Sequence, residues 1–264
     1  MTDQQSPHLT ALRTEVRDRI GTITLHRPEQ RNALNQALLA ELSTVLDAWE
    51  ADAAVQGIII TGSGPQAFAA GADISEVAAW GVTEGLAATM QRLYDRLQDF
   101  PKPTLAALNG VAMGGGLELS MSCDIRIAAE EARMGLPEVG LGVLPSAGGT
   151  QRLSRLVGTG RALEMILTGR ALTAEQAERY GLVTTVVPAA DLLPTAAEIM
   201  TRILAKGPLA IRLAKMVIGP GHDTDQRTGL LLEQLAQTLL FTTADKAEGT
   251  AAFLEKRAPD FDGR

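Results

Sequence analysis

The chain has 264 residues, 45% of them hydrophobic but only 3% aromatic, so Leu, Val, Ile and Ala have to fill a sizeable core. A formal net charge of -7 argues against a nucleic-acid partner gripped through its phosphates, and any anionic ligand has to meet a local cluster of Arg or Lys. No apolar run reaches the roughly 20 residues that span a bilayer, which excludes a helical membrane anchor, and the lone Cys123 cannot close an internal disulfide and suits a reducing, cytoplasmic setting.

Met1 to Thr10 is polar, lacks the apolar stretch of a secretory signal and reads as a frayed tail. Ile20 to Leu25 alternates as a strand does. Asn35 is placed to cap a helix whose apolar face is Leu38, Leu39, Leu42, Val45, Leu46 and Trp49. Gly57 to Thr61 is short, β-branched and apolar, the pattern of a strand covered on both faces, and Gly62 and Gly64 break it. Leu86, Met90, Leu93, Leu97 and Phe100 predict one further amphipathic helix, stopped by Pro101 and Pro103.

Thr104 to Leu108 reads as a second buried strand, followed by a Gly-rich turn, a short helix from about Gly115 to Ser122, and a strand over Asp124 to Ala129. Strand, turn, helix and strand in repetition point to an α/β fold with parallel pairing. Thr173 and Gln176 have capping-box spacing, Val183 to Val187 is the last strand, and helical patterns dominate from Asp191 onward. We therefore divide the chain into a catalytic core over 1–190 and a helical region over 191–264. Leu230, Leu231, Leu235, Leu239, Leu240 and Phe241 are apolar enough to pack either on the chain's own core or on another subunit, and we expect an oligomer.

The segment Asn109 to Glu118 places three consecutive glycines between a buried strand and a helix. Glycine lets the backbone approach a ligand closely, and a helix N-terminus carries partial positive charge, so the turn could hold a negatively charged oxygen. The spacing is neither that of a dinucleotide fingerprint nor that of a P-loop, and on glycine content alone a tight structural turn fits equally well. Glu118 lies one turn into the helix among Leu117, Leu119 and Met121. It either faces solvent, pairs with a cation, or carries proton chemistry with a raised pKa. Glu138, within Gly135 to Gly142, has similar neighbours and taken alone is an ordinary loop glutamate. Two such carboxyls near one anion-stabilising turn make a candidate acid/base pair.

Ala67 to Ile74 is a second glycine-containing turn after a strand, where ligands gather at the edge of a parallel sheet. The N–H of Ala72 is a candidate second donor beside that of Gly115, and Asp73 a candidate helix cap. His8, His26 and His222 have no metal-ligand spacing, and no metal site is expected. His26 reads as structural.

Over nearly its whole length the sequence resembles the crotonase (enoyl-CoA hydratase/isomerase) superfamily. The matching stretches are Arg27 to Leu34, Ala67 to Ile74, Asn109 to Glu118, Cys123 to Arg126, Gly135 to Gly142, Gly148 to Leu153 and Ala251 to Arg257. The resemblance implies a spiral of ββα units with a helical C-terminal trimerisation region, the trimers often pairing into hexamers. It implies an acyl-CoA thioester as substrate, with CoA belonging to the substrate and no separate cofactor. It implies that Glu118 and Glu138 are the catalytic pair of a hydratase and that the N–H groups of Ala72 and Gly115 form its oxyanion hole. For CoA it points to Arg27, Arg31, Ala33, Ala70, Asp73, Ile74, Phe253 and Lys256, the last two sometimes supplied by a neighbouring subunit. Relatives that isomerise a double bond, or bind without catalysis, are the competing implications.

Overall fold

The computed structural model describes residues 9–221 and 223–264. The expectations for Met1 to His8 and for His222 lie outside the described residues.

The elements follow in chain order: β1 Leu12–Arg17, β2 Ile20–Leu25, α1 Gln36–Ala51, β3 Gly57–Gly62, β4 Ala67–Ala69, α2 Ile74–Val77, α3 Val82–Ala87, α4 Thr89–Gln98, β5 Thr104–Leu108, β6 Val111–Met113 and α5 Gly115–Met121. Then come β7 Ile125–Ala129, β8 Arg133–Gly135, α6 Gly149–Val157, α7 Thr159–Thr168, β9 Leu172–Thr173, α8 Ala174–Tyr180 and β10 Thr185–Val187. Four helices close the chain: α9 Leu192–Leu204, α10 Pro208–Gly221, α11 Gln226–Leu240 and α12 Ala244–Glu255.

The strands divide into a six-stranded sheet, β1-β2-β3-β5-β7-β10, and a four-stranded sheet, β4-β6-β8-β9. Only β1 with β2 and β8 with β9 run antiparallel; β2-β3-β5-β7-β10 and β4-β6-β8 are parallel. Each of β3, β5 and β7 in the large sheet is followed directly by β4, β6 or β8 in the small one, before the chain returns through helix. Repetition of that step is the ββα spiral of the crotonase fold. It gathers the turns after β4, β6 and β8 at one place.

The strand patterns explain why the large sheet is covered on both faces. Ile58 and Ile60 of β3 join the main core beneath α1, with Leu38, Leu42, Leu46 and Trp49. Ile59 points the other way, into a second cluster with Leu105, Ile127 and Leu192, Ala196, Met200 and Leu204 of α9. Side chains alternate between the faces of a strand, so an unbroken apolar run needs cover on both. The cover is tight: a Cβ on Gly57 would lie 2.4 Å from Met200 Sδ. The change at residues 190/191 is thus one of element type, since α9 packs on the large sheet.

The helix expected across Leu86 to Phe100 is instead two. Ala88 takes a left-handed conformation, φ 47°, which ends α3 and starts α4. Leu93, Leu97 and Phe100 are buried as the spacing requires, while Leu86 of α3 is 77% exposed. The last strand is also shorter than expected, beginning at Thr185. No helix among the described residues is long and apolar enough to cross a membrane.

Candidate active site

Two asparagines, the buried Asn32 and the half-buried Asn109, set the loops around the site. Asn32 donates to the carbonyls of Ala67 and Ser63 at 2.8 and 3.0 Å and accepts from the Arg27 N–H. Asn109 accepts from the Gly62 N–H and donates to the Gly64 carbonyl. Segment 31–34 is then stitched to segment 70–73: Ala70 N–H donates to the Arg31 carbonyl, Leu34 N–H to the Gly71 carbonyl, and Asp73 N–H to the Leu34 carbonyl.

The three glycines are there for want of space. Gly114, at φ 49°, has the Glu138 carboxyl 2.8 Å from where a Cβ would stand. A Cβ on Gly116 would meet the Ala69 carbonyl oxygen at 2.2 Å, so α5 packs backbone to backbone on β4. The Cβ position of Gly115 lies 3.5 Å from the Ala72 nitrogen and 2.9 Å from Met90 Sδ. The first turn of α5 therefore sits beside Ala72. Neither the Ala72 N–H nor the Gly115 N–H donates to another group among the described residues.

Glu118 lies on α5 one turn in, 2% exposed. Its Oε1 accepts from Ala147 N–H at 2.8 Å and from Gly149 N–H at 2.7 Å, the latter being the first amide of α6. Burial pushes the Glu118 carboxyl up to about 7; the two amides and Arg152 oppose that shift, and the charge of Glu138 adds to it. Glu138 opens a single helical turn, Glu138–Leu141, and is half-buried. Burial raises its pKa as well, and its Oε2 is enclosed with no partner among the described residues. The structure thus brings Glu118 and Glu138 together, next to the amides of Ala72 and Gly115.

The remaining sequence candidates are placed unevenly. Arg27 donates to the Ala33 carbonyl at 2.7 Å and pairs with Asp73 at 3.1 Å, both side chains being largely covered. Asp73 also caps α2 through Ser75 N–H, and its pKa is lowered by Ser75 and then Arg27. Arg31 is exposed in a left-handed conformation, Ala33 and Ala70 are half-buried in the stitched segments, and Ile74 is exposed. Phe253 is 82% exposed near the end of α12, Lys256 caps that helix, and neither hydrogen-bonds to segments 27–34 or 70–74 among the described residues. His26 keeps an enclosed, unpartnered Nδ1, and Cys123 is buried with its thiol pushed up to about 12 by burial.

Sequence reasoning missed the Ala147 and Gly149 amides that hold Glu118. The signal was present: Gly148-Gly149 before an amphipathic run marks a helix start, whose first N–H groups are free for an acceptor.

With this geometry in view, the chain can be compared with known proteins. The Enoyl-CoA hydratase/isomerase family model matches residues 15–264. The chain is 44% identical to the 2,3-dehydroadipyl-CoA hydratase of Escherichia coli (strain K12), over 93% of its own length and 96% of that protein's. It is 44% identical to the short-chain-enoyl-CoA hydratase of Clostridium acetobutylicum, over 92% and 94%. A crystal structure of enoyl-CoA hydratase from Bacillus anthracis superposes with a TM-score of 0.93 at 42% identity, covering 97% of this chain and all of that one. The fold is that of the crotonase superfamily. Within it, the chain belongs to the enoyl-CoA hydratase/isomerase family.

Proposed function

We propose that the chain is an enoyl-CoA hydratase, adding water across the 2,3 double bond of an enoyl-CoA to give a 3-hydroxyacyl-CoA. The observation that carries this reading is the pair of carboxyls, Glu118 and Glu138, beside two uncommitted amides. Membership of an enzyme family whose named relatives include hydratases supports it. The N–H groups of Ala72 and Gly115 receive the thioester oxygen, which gains negative charge as the double bond is attacked. Each such donor contributes on the order of 10²–10³ in rate.

One water sits between the glutamates. Glu118, held ionisable by two amides, takes a proton from it as its oxygen bonds to C3. Glu138, whose enclosed Oε2 lacks a partner, delivers a proton to C2. The pair returns to its starting state by passing the proton from Glu118 back to Glu138 through solvent. A base with a pKa of about 7 is strong yet still available near neutrality.

CoA belongs along the stitched segments, with Ala70 to Ile74 and Ala33 beside the pantetheine and adenine, and Arg31 and Lys256 toward the phosphates. Arg27, committed to Asp73, contributes there through the shape of the loop. Phe253 and Lys256 reach the site from a neighbouring subunit. The leucines of α11 form the face between subunits, in a trimer or a hexamer, and a cytoplasmic location goes with the reading. Assay of purified protein with 2-enoyl-CoA thioesters of several chain lengths tests the proposal. Loss of the enone absorbance is the expected result, and no loss with any chain length rejects it.

A further inference from the structure

The carboxylate of Glu118 is aimed by a turn that has no regular structure of its own. Pro145 to Gly149 leads into α6, and its amides reach Glu118 only if the backbone at Ala147 keeps its conformation. Ala147 is also held through its carbonyl, in the next peptide group. Arg152 donates from Nη1 to the Ala147 carbonyl at 2.8 Å, so one residue's N–H faces Glu118 while its C=O faces Arg152.

The guanidinium is itself fixed at two further points on a different helix. Its Nη2 pairs with Asp95 at 2.6 Å and its Nε donates to Gln98 Oε1 at 2.7 Å, both on α4. The Arg152 side chain is 12% exposed, whereas Asp95 is 52% exposed, so the cation is enclosed and its partner open. A Cβ on Gly148 would lie 1.9 Å from Arg152 Nη1, and glycine there at φ 100° is what lets the guanidinium lie under the turn.

We propose that Arg152 is a positioning residue for Glu118: clamped by Asp95 and Gln98, its guanidinium holds the Ala147 carbonyl, between the two donating amides, so that both N–H groups stay aimed at the catalytic carboxylate. The inference rests on the hydratase reading for its catalytic consequence, though not for its structural one. Arg152 also brings the positive charge that favours the ionised form of Glu118 against its burial and against Glu138. The other group facing Glu118 is Tyr94 of α4, a buried phenol that donates to the Gly115 carbonyl and stays neutral. A planar fork with donors on three nitrogens reaches acceptors on different sides, whereas a lysine holds its three donors on one nitrogen and cannot span Ala147, Asp95 and Gln98 in the same way.

The test pairs Arg152→Met with Arg152→Lys in the full-length protein, reading kcat, KM and the titration of Glu118. The titration is followed by NMR of ¹³C-labelled glutamate carboxyls and assigned by the resonance missing in Glu118→Gln. In Arg152→Met, kcat falls about tenfold to a hundredfold with KM within about threefold, and the Glu118 midpoint moves to higher pH. In Arg152→Lys the midpoint stays near that of the wild type while kcat still falls, by less. An unmoved midpoint in Arg152→Met, or wild-type kcat in Arg152→Lys, overturns the proposal; if Arg152→Met does not fold, the kcat of Arg152→Lys decides. A wild type without hydratase activity sinks the reaction assigned above, and the Glu118 midpoint in Arg152→Met then decides the positioning role alone.

Discussion

Between Asn109 and Arg152, buried polar groups are largely answered within the one chain, the Oε2 of Glu138 excepted. Glu118 has two amides, and the buried Arg126 donates to the carbonyls of Leu182, Ser120 and Cys123. Between Gln226 and Phe241 the reverse holds for apolar surface: α11 buries none of its side chains, and Leu230, Leu231, Leu235, Leu239 and Phe241 are each at least half exposed. α9, by contrast, covers the large sheet. The glutamate region finds most of its partners within the one chain, while α11 presents a hydrophobic face left uncovered among the described residues. The oligomer proposed above would cover that face.

That contrast can be broken at several points. The largest effect is expected from Glu118→Gln, which keeps an acceptor for both amides and removes the base. Hydration falls by about 10²–10⁴, with KM for the enoyl-CoA changed only slightly, as steady-state kinetics read it. Next is the pair Leu231→Glu with Leu235→Glu on α11. Each leucine that loses a buried contact costs about 1.5–3 kcal/mol, so the assembly shifts to single chains in light scattering while the fold persists. Wild-type protein running as single chains would remove this half of the contrast.

The third effect concerns pH. The folded pKa of Glu118, about 7, is raised above its ordinary value of 4.5, so the folded protein binds the extra proton between those values. Stability therefore falls as pH rises through that window, by on the order of 3 kcal/mol from this group. Glu118→Gln should flatten the profile, which urea unfolding at pH 4.5 and pH 8 checks. The smallest effect is Asn35→Ala, which removes the side-chain acceptor of Leu38 N–H at the start of α1 and costs about 1 kcal/mol of stability without touching hydration.

The legible parts of the sequence were those governed by one local rule. Asn35, the apolar stripe after it, the run Gly57 to Thr61 and the capping box at Thr173 are each settled by neighbours in the chain. β4, β6, β8 and β9 are two or three residues long, too short to show a period, and their pairing with one another is set by the spiral. Ala88 is an alanine in a left-handed conformation, which no propensity would suggest, so the break between α3 and α4 was hidden. Glu118 and Glu138 were recognisable as carboxyls in apolar company. The chemical state of Glu118 was not, because it depends on Ala147, Gly149 and Arg152, about 30 residues further on.

One measurement bears most directly on the two-carboxyl site. The purified protein is incubated with a short 2-enoyl-CoA in D₂O, and the product is read by mass spectrometry and NMR. The expected product is a 3-hydroxyacyl-CoA with a single deuterium at C2, formed by the wild type and lost in both Glu118→Gln and Glu138→Gln. A product whose double bond has moved without gaining water, still made by Glu118→Gln, would contradict the account.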